Sequence, residues 1–175
     1  MERIKLGDGR GPMVSRVACG LWRLHTLELS KAEQYIASAL ERGITYFDTA
    51  AVYGNGASET QLGRILKNTP SLRDKMVIQT KCGNLITADG MRYYDFSKDE
   101  ILKSVDDSLR RMQIDYVDLL LLHRPDALAE PEQIAEAFEQ LQRSGKVRWF
   151  GVSNQNPMQI ELLQSFLKEP ILINQ

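Results

Sequence analysis

Apolar positions recur along this chain in two alternating rhythms. Short apolar runs of strand length lie at 16–24 (RVACGLWRL), 44–48 (ITYFD), 76–82 (MVIQTKC), 116–123 (YVDLLLLH), 146–154 (KVRWFGVSN) and 171–175 (ILINQ). Between them apolar residues return at every third or fourth position, the spacing of one face of a helix. In 29–43 that stripe is Ala32, Ile36, Ala39 and Leu40. The pattern predicts helices over 29–43, 58–67, 97–112, 131–143 and 157–168. Ser30 with Glu33, and Ser97 with Glu100, have the spacing of a capping box; Ser58 is the expected N-cap of the second helix, and Gly43 a stop for the first.

Six strands separated by five helices indicate parallel βα units, because parallel neighbours need crossover connections. Continuous apolar strands such as VDLLLL suit a sheet covered on both faces. Two α/β architectures fit: a doubly wound open sheet and a (β/α)8 barrel. GDGRGP at 7–12 carries glycines but precedes the first strong strand and opens no helix. It reads as a hairpin turn and not as a dinucleotide-binding loop. The expectation is therefore a barrel, with residues 1–175 forming a single domain.

Composition narrows the partners. The balance of 43% hydrophobic and 26% charged residues is that of a folded globular chain, and a net charge of −1 gives no reason to expect nucleic acid or an anionic membrane. The longest apolar run, 116–122 with Asp118 inside it, is far too short to span a bilayer. The opening MERIKLGDGRGP has no apolar signal-peptide core, so the expected location is the cytoplasm. Cys19 and Cys82 each sit in an apolar run, as buried thiols rather than a disulfide framework. Neither they nor the two widely separated histidines supply a metal site.

The polar residues at the strand exits carry the chemistry. Strand two ends in Asp48, with Tyr53 just beyond; strand three ends in Lys81, strand four in His123, strand five in Ser153 and Asn154, and the last run in Asn174 and Gln175. In a parallel barrel all these exits lie on one face, where active sites form. Each residue also has a structural use: Asp48 as an acceptor for loop amides, Tyr53 as loop packing, Lys81 as a solvated cation, His123 as a hydrogen-bonded core histidine. Their convergence favours chemistry. An ammonium beside a phenol stabilises the phenolate and makes the phenol a readier proton donor, and a carboxylate keeps the buried ammonium charged. A neutral imidazole can orient a carbonyl oxygen as negative charge develops on it. This set protonates an alkoxide; the missing hydride calls for a nicotinamide.

GITYFDTAAVYGNGASETQLGRIL, VIQTKCG, YVDLLLLHRPD and GKVRWFGVSN resemble, in order and spacing, the signature blocks of the aldo-keto reductases, and the similarity runs from RIKLG to INQ. The resemblance implies a TIM barrel whose base is closed by an N-terminal hairpin, and NADPH-dependent reduction of aldehydes and ketones. It places the family's catalytic tetrad on Asp48, Tyr53, Lys81 and His123. Contacts to the nicotinamide carboxamide fall on Ser153, Asn154 and Gln175, and the cofactor- and substrate-facing loop on Gly20, Leu21 and Trp22. Trp22, Tyr53 and His123 would face a small-molecule carbonyl substrate, with the segment 84–96 as a further wall.

Against the family's pattern, strands seven and eight and the C-terminal loop are not in these 175 residues. With them go the residues expected to hold the pyrophosphate and the 2′-phosphate, so NADP over NAD rests on resemblance alone. A six-stranded part of a barrel leaves two open edges, from which self-association is expected. The alternative function is a non-catalytic regulatory subunit that retains the scaffold, similar to the β subunits of potassium channels.

Overall fold

Side chains alternate along the central strands and sort themselves into two cores. The computed structural model describes residues 1–175. Its elements are β1 (Arg3–Lys5), β2 (Met13–Ser15), β3 (Ala18–Gly20), α1 (Leu29–Glu41), β4 (Tyr46–Asp48), α2 (Ala57–Asn68), β5 (Val77–Cys82), β6 (Asn84–Ile86), β7 (Arg92–Tyr94), α3 (Lys98–Met112), β8 (Val117–Leu122), α4 (Pro131–Arg143), β9 (Val147–Val152), α5 (Pro157–Phe166) and β10 (Ile171–Asn174). Short 3-10 turns occupy Leu24–Thr26 and Pro70–Lys75.

The main sheet has six parallel strands in the order β3-β4-β5-β8-β9-β10. Each strand is laid beside the one before it, with no reversal of direction across the sheet. A doubly wound sheet would reverse its order at a switch point, so this progression is that of a barrel. Each main helix also packs on the next, α1 on α2 through to α4 on α5. The observed unit is six strands of a TIM barrel with its outer helices.

Outward-facing Phe47, Ile78, Leu120, Phe150 and Val152 meet Ile36, Leu62, Ile65, Ile101, Val105 and Phe138 of the helices in one large core. Phe138 stacks on Phe150 with ring centroids 4.0 Å apart. Inward-facing Tyr46, Leu119 and Leu121 form a smaller core with Val14 of β2, flanked by Leu6, Val77, Trp149 and Ile173. Leu6 and Val14 belong to the antiparallel β1–β2 hairpin, which thus covers the N-terminal end of the sheet. Ser15 fastens it there: its Oγ accepts the N–H groups of Thr45 and Tyr46 at the entry to β4.

Several local expectations are corrected. Helix α1 starts at Leu29 behind Glu28, whose side chain makes no capping bond, so Ser30 lies inside the first turn and the Ser30–Glu33 box does not form. Helix α2 starts at Ala57 behind a left-handed Gly56 (φ 86°), which leaves Ser58 inside the helix and free to bond elsewhere. Ser97 does cap α3, accepting the Glu100 N–H at 3.4 Å. The 84–96 segment, expected as a further wall of the substrate site, contains a two-stranded hairpin, β6–β7. The first long apolar run keeps only Ala18–Gly20 as strand, because the chain then turns into the Leu24–Thr26 3-10 turn.

Two contacts lock α2 to its neighbours. The Glu59 carboxylate is fully buried and accepts from Thr80 Oγ1 on β5 (2.5 Å) and Arg111 Nε on α3 (2.8 Å). One helical turn along, Gly63 lies so close to α3 that a Cβ would fall 2.2 Å from the Arg111 carbonyl oxygen. Helix propensity alone would favour alanine at Gly63 by about 1 kcal/mol. The clash with backbone should win, because overpacking costs about 1–3 kcal/mol. Gly63→Ala is expected to lower the denaturation midpoint in a urea titration, and an unchanged or raised midpoint would show that the helices can part without cost.

Candidate active site

The inward side of the strand exits is polar where the strand bodies are apolar. Asp48 ends β4, Gln79 and Lys81 lie two residues apart on β5, His123 follows β8, Ser153 follows β9, and Gln175 follows β10. Because the six strands are parallel, these groups share one end of the sheet. Tyr53 reaches the same place from the loop between β4 and α2. That loop is a sharp reversal, with Gly54, Asn55 and Gly56 all left-handed (φ 59°, 53° and 86°).

Lys81 is the hub. Its ammonium donates to Asp48 Oδ1 (2.5 Å), the Thr49 carbonyl (3.0 Å) and the Tyr53 hydroxyl (3.2 Å). Three donors meet three acceptors, at a lysine only 2% exposed. The His123 ring stands edge-on to Tyr53, with centroids 5.8 Å apart and planes at 82°. Trp22, well exposed, also neighbours Tyr53, its ring centroid 6.4 Å away and its plane tilted by 48°. His123 is buried, and its Nδ1 has no hydrogen-bond partner. Burial, followed by the charges of Lys81, Arg124 and Arg92, pushes its pKa down to about 4 against a smaller opposing effect of Asp48. The imidazole is thus neutral near pH 7 and able to donate a hydrogen bond from one nitrogen.

Gln79 is a participant that periodicity did not reveal. The Tyr46 hydroxyl donates to Gln79 Oε1, which fixes the amide so that Nε2 faces the site. Nε2 then donates to Asp48 Oδ1 (2.5 Å) and to Gln175 Oε1 (3.0 Å). Burial and the nearby Asp48 charge both raise the Tyr46 pKa, so its hydroxyl stays protonated and a donor. The signal was present in VIQTKC as a polar side chain two residues before Lys81, on the same strand face.

The residues expected to hold a nicotinamide carboxamide are gathered at the β9 and β10 exits. Ser153 Oγ donates to the Gln175 carbonyl (3.0 Å), Asn154 Nδ2 to Ser153 Oγ (2.7 Å), and Gln175 Nε2 to Asp48 Oδ2 (3.3 Å). A hydroxyl and two amides offer both donors and acceptors, which suits a carboxamide. Gly20 leaves the adjoining space open, since a Cβ there would meet nothing within 4 Å. Leu21 was expected in the cofactor-facing loop. Its side chain is buried in the outer core, its N–H is given to the Asp48 carbonyl (2.8 Å) and its own carbonyl accepts from the Leu24 N–H (3.0 Å). No group of three or more His, Cys, Asp or Glu side chains could hold a metal ion.

The buried neutral imidazole has a consequence for folding. Between about 4 and the ordinary value of 6.5 the unfolded chain binds a proton at His123 that the folded chain does not. Its contribution to stability is therefore full above pH 6.5 and is lost as pH falls toward 4. An NMR titration of the His123 ring should give a midpoint near 4, and His123→Phe should lose less stability than wild type between pH 7 and pH 4.5. A midpoint near 6.5 would refute the buried, cation-flanked environment.

Comparison with known proteins agrees with this geometry. The model of the Aldo/keto reductase family matches residues 16–175. The chain is 43% identical to the uncharacterized oxidoreductase YcsN of Bacillus subtilis, over all of this chain and 60% of that protein. It is 41% identical to a 6-dehydroglucose reductase of Agrobacterium fabrum, over all of this chain and 61% of that one. Among solved structures, the holo form of aldo-keto reductase AKR11C1 from Bacillus halodurans superposes with a TM-score of 0.84 at 34% identity, over 96% of this chain and 55% of its own. The chain spans about 60% of the length of the curated relatives it matches. The ordered barrel strands, the buried lysine–aspartate–tyrosine cluster and the match across residues 16–175 lead to one assignment: this chain belongs to the aldo/keto reductase family.

Proposed function

We propose that the protein to which these residues belong reduces an aldehyde or ketone to an alcohol, using NADPH. The observation that carries this reading is the Lys81 ammonium held between Asp48 and the Tyr53 hydroxyl. Ser153, Asn154 and Gln175 would hold the carboxamide of a nicotinamide, whose chemistry when bound is the supply of hydride. Trp22, Tyr53 and His123 would face the substrate.

Tyr53 gives its proton to the carbonyl oxygen as the carbonyl carbon becomes tetrahedral. The electron pair left on the phenolate is stabilised by Lys81 at 3.2 Å, and solvent later returns the proton. Asp48 keeps Lys81 charged and in place. Neutral His123 directs the carbonyl oxygen toward Tyr53 without competing for the proton. The name of the Agrobacterium relative, 6-dehydroglucose reductase, supports a small hydroxylated carbonyl as the substrate class.

In the complete protein, Tyr53→Phe should lower kcat by about 10²-fold or more, the range for loss of a positioned acid. Cofactor affinity, read by fluorescence titration, should hardly change. Near-normal kcat on an aldehyde would refute Tyr53 as the proton donor. Lys81→Met should abolish turnover, and pH–rate profiles that superimpose on wild type in a residually active Lys81 variant would refute the coupling. The 175-residue chain alone exposes the outer edges of β3 and β10 and should self-associate; a monodisperse monomer by light scattering would count against that.

A further inference from the structure

The Trp22 loop and the Tyr53 loop are joined by a hydrogen-bonded tie. Ser58, fully buried in the first turn of α2, donates its hydroxyl to the Trp22 carbonyl at 3.1 Å. The same oxygen lies 2.9 Å from His25 Nδ1. A carbonyl can only accept, so the single Ser58 proton is committed to Trp22, and Oγ must accept from His25 Nδ1–H. This fixes the Nδ1-protonated form of the ring. The imidazole also lies over Gly54, next to Tyr53: a Cβ on Gly54 would sit 2.8 Å from ring atoms. A second tie runs in parallel, from Gln61 Nε2 on α2 to the Leu27 carbonyl (3.0 Å).

We propose that Ser58 and His25 are positioning residues that set the spacing between Trp22 and Tyr53, and so decide which carbonyl substrates fit. The substrate half of this statement rests on the reductase reading; the spacing half does not. Trp22 is exposed and held by little else: its ring touches Tyr53 at 6.4 Å between centroids and carries Arg23 on its face at 5.0 Å. On its C-terminal side the Trp22 backbone is held by the Ser58 bond to its carbonyl, and on its N-terminal side by Leu21, whose N–H is given to Asp48. Ser58 can serve there because Gly56, not Ser58, is the N-cap of α2. Gly54 is required because any side chain would displace the His25 ring.

The test uses the complete protein labelled with 5-fluorotryptophan, with the Trp22 signal assigned through Trp22→Phe. Ser58→Ala and His25→Leu should each shift or broaden the Trp22 resonance and leave that of Trp149 in place. Both should lower kcat/KM about tenfold for a small aldehyde and much less for a bulky one, since loss of fit at a positioned pocket of this kind is felt most by the substrate it was shaped for. His25→Asn, whose Nδ2–H can replace Nδ1–H, should restore the wild-type ratio. The double variant should be no worse than either single one, because both changes break the same tie. His25 is exposed, so His25→Leu keeps the test sound if Ser58→Ala does not fold. An unmoved Trp22 signal in both variants, or a moved signal with an unchanged small-to-bulky ratio, would overturn the proposal. If the complete protein reduces no carbonyl at all, the reductase reading fails, while the fluorine signal still decides whether the tie holds Trp22.

Discussion

A lysine ammonium with almost no access to water is the constraint on which the rest of this end of the sheet depends. Desolvating a charged amine costs several kcal/mol, and an ion pair offsets that cost only if the remaining donors also find partners. Asp48 supplies the counter-charge, and the Thr49 carbonyl and the Tyr53 hydroxyl complete the set. The carboxylate must be held in turn, because a freely rotating Asp48 would leave Lys81 unpaired part of the time. Gln79 and Gln175 hold it, and Tyr46 holds Gln79. The order therefore runs from the apolar barrel interior up to the phenol at the mouth, one hydrogen bond at a time.

That chain of contacts needs strands in fixed register, which the two cores provide. The period of two along a strand puts Tyr46 and Asp48 on the inner face while Phe47 enters the outer core. The same alternation carries Gln79 and Lys81 inward and Ile78 outward. A slip of one residue in β4 or β5 would bury Phe47 in the site and send Asp48 toward the helices. The outer core, with Glu59 tied to β5 and α3, resists such a slip because it fixes α2 as well as the strands.

Much of this was legible in the sequence, for reasons that differ by residue. Asp48, Lys81 and His123 close apolar runs, and a charge at the end of a buried strand has few places to go except the common face. The order of βα units and the buried thiols follow from the same patterning, while the N-terminal hairpin turn is read from the glycines of GDGRGP. Gln79 escaped because it lies in the body of β5, two residues before Lys81, and attention to strand exits passes over a polar group there. Leu21 and Trp22 are neighbours in sequence, yet the turn after β3 sends the Leu21 side chain into the outer core and the Trp22 ring to the surface. Ser58 looked like a helix cap because serine before an apolar stripe usually is one. The actual cap, Gly56, depends on a left-handed backbone that no composition rule identifies. The ties from Ser58 to Trp22 and His25 cross more than thirty residues, so local pattern could not disclose them.

The composition of the Tyr53 loop then has a physical cause. Tyr53 must bring its hydroxyl down to Lys81, and α2 must begin within four residues so that Glu59 reaches Arg111. So short a connection demands a tight reversal, made here by three successive left-handed residues at 54–56. Glycine adopts that conformation freely, and asparagine tolerates it better than other residues with a side chain. The sequence GNG meets that demand, and the small Gly54 leaves the face on which the His25 ring rests. The small residues around Tyr53 are therefore not a flexible setting for the phenol. They allow a rigid one, in which the phenol is fixed from below by Lys81 and its loop is fixed from the side by α2.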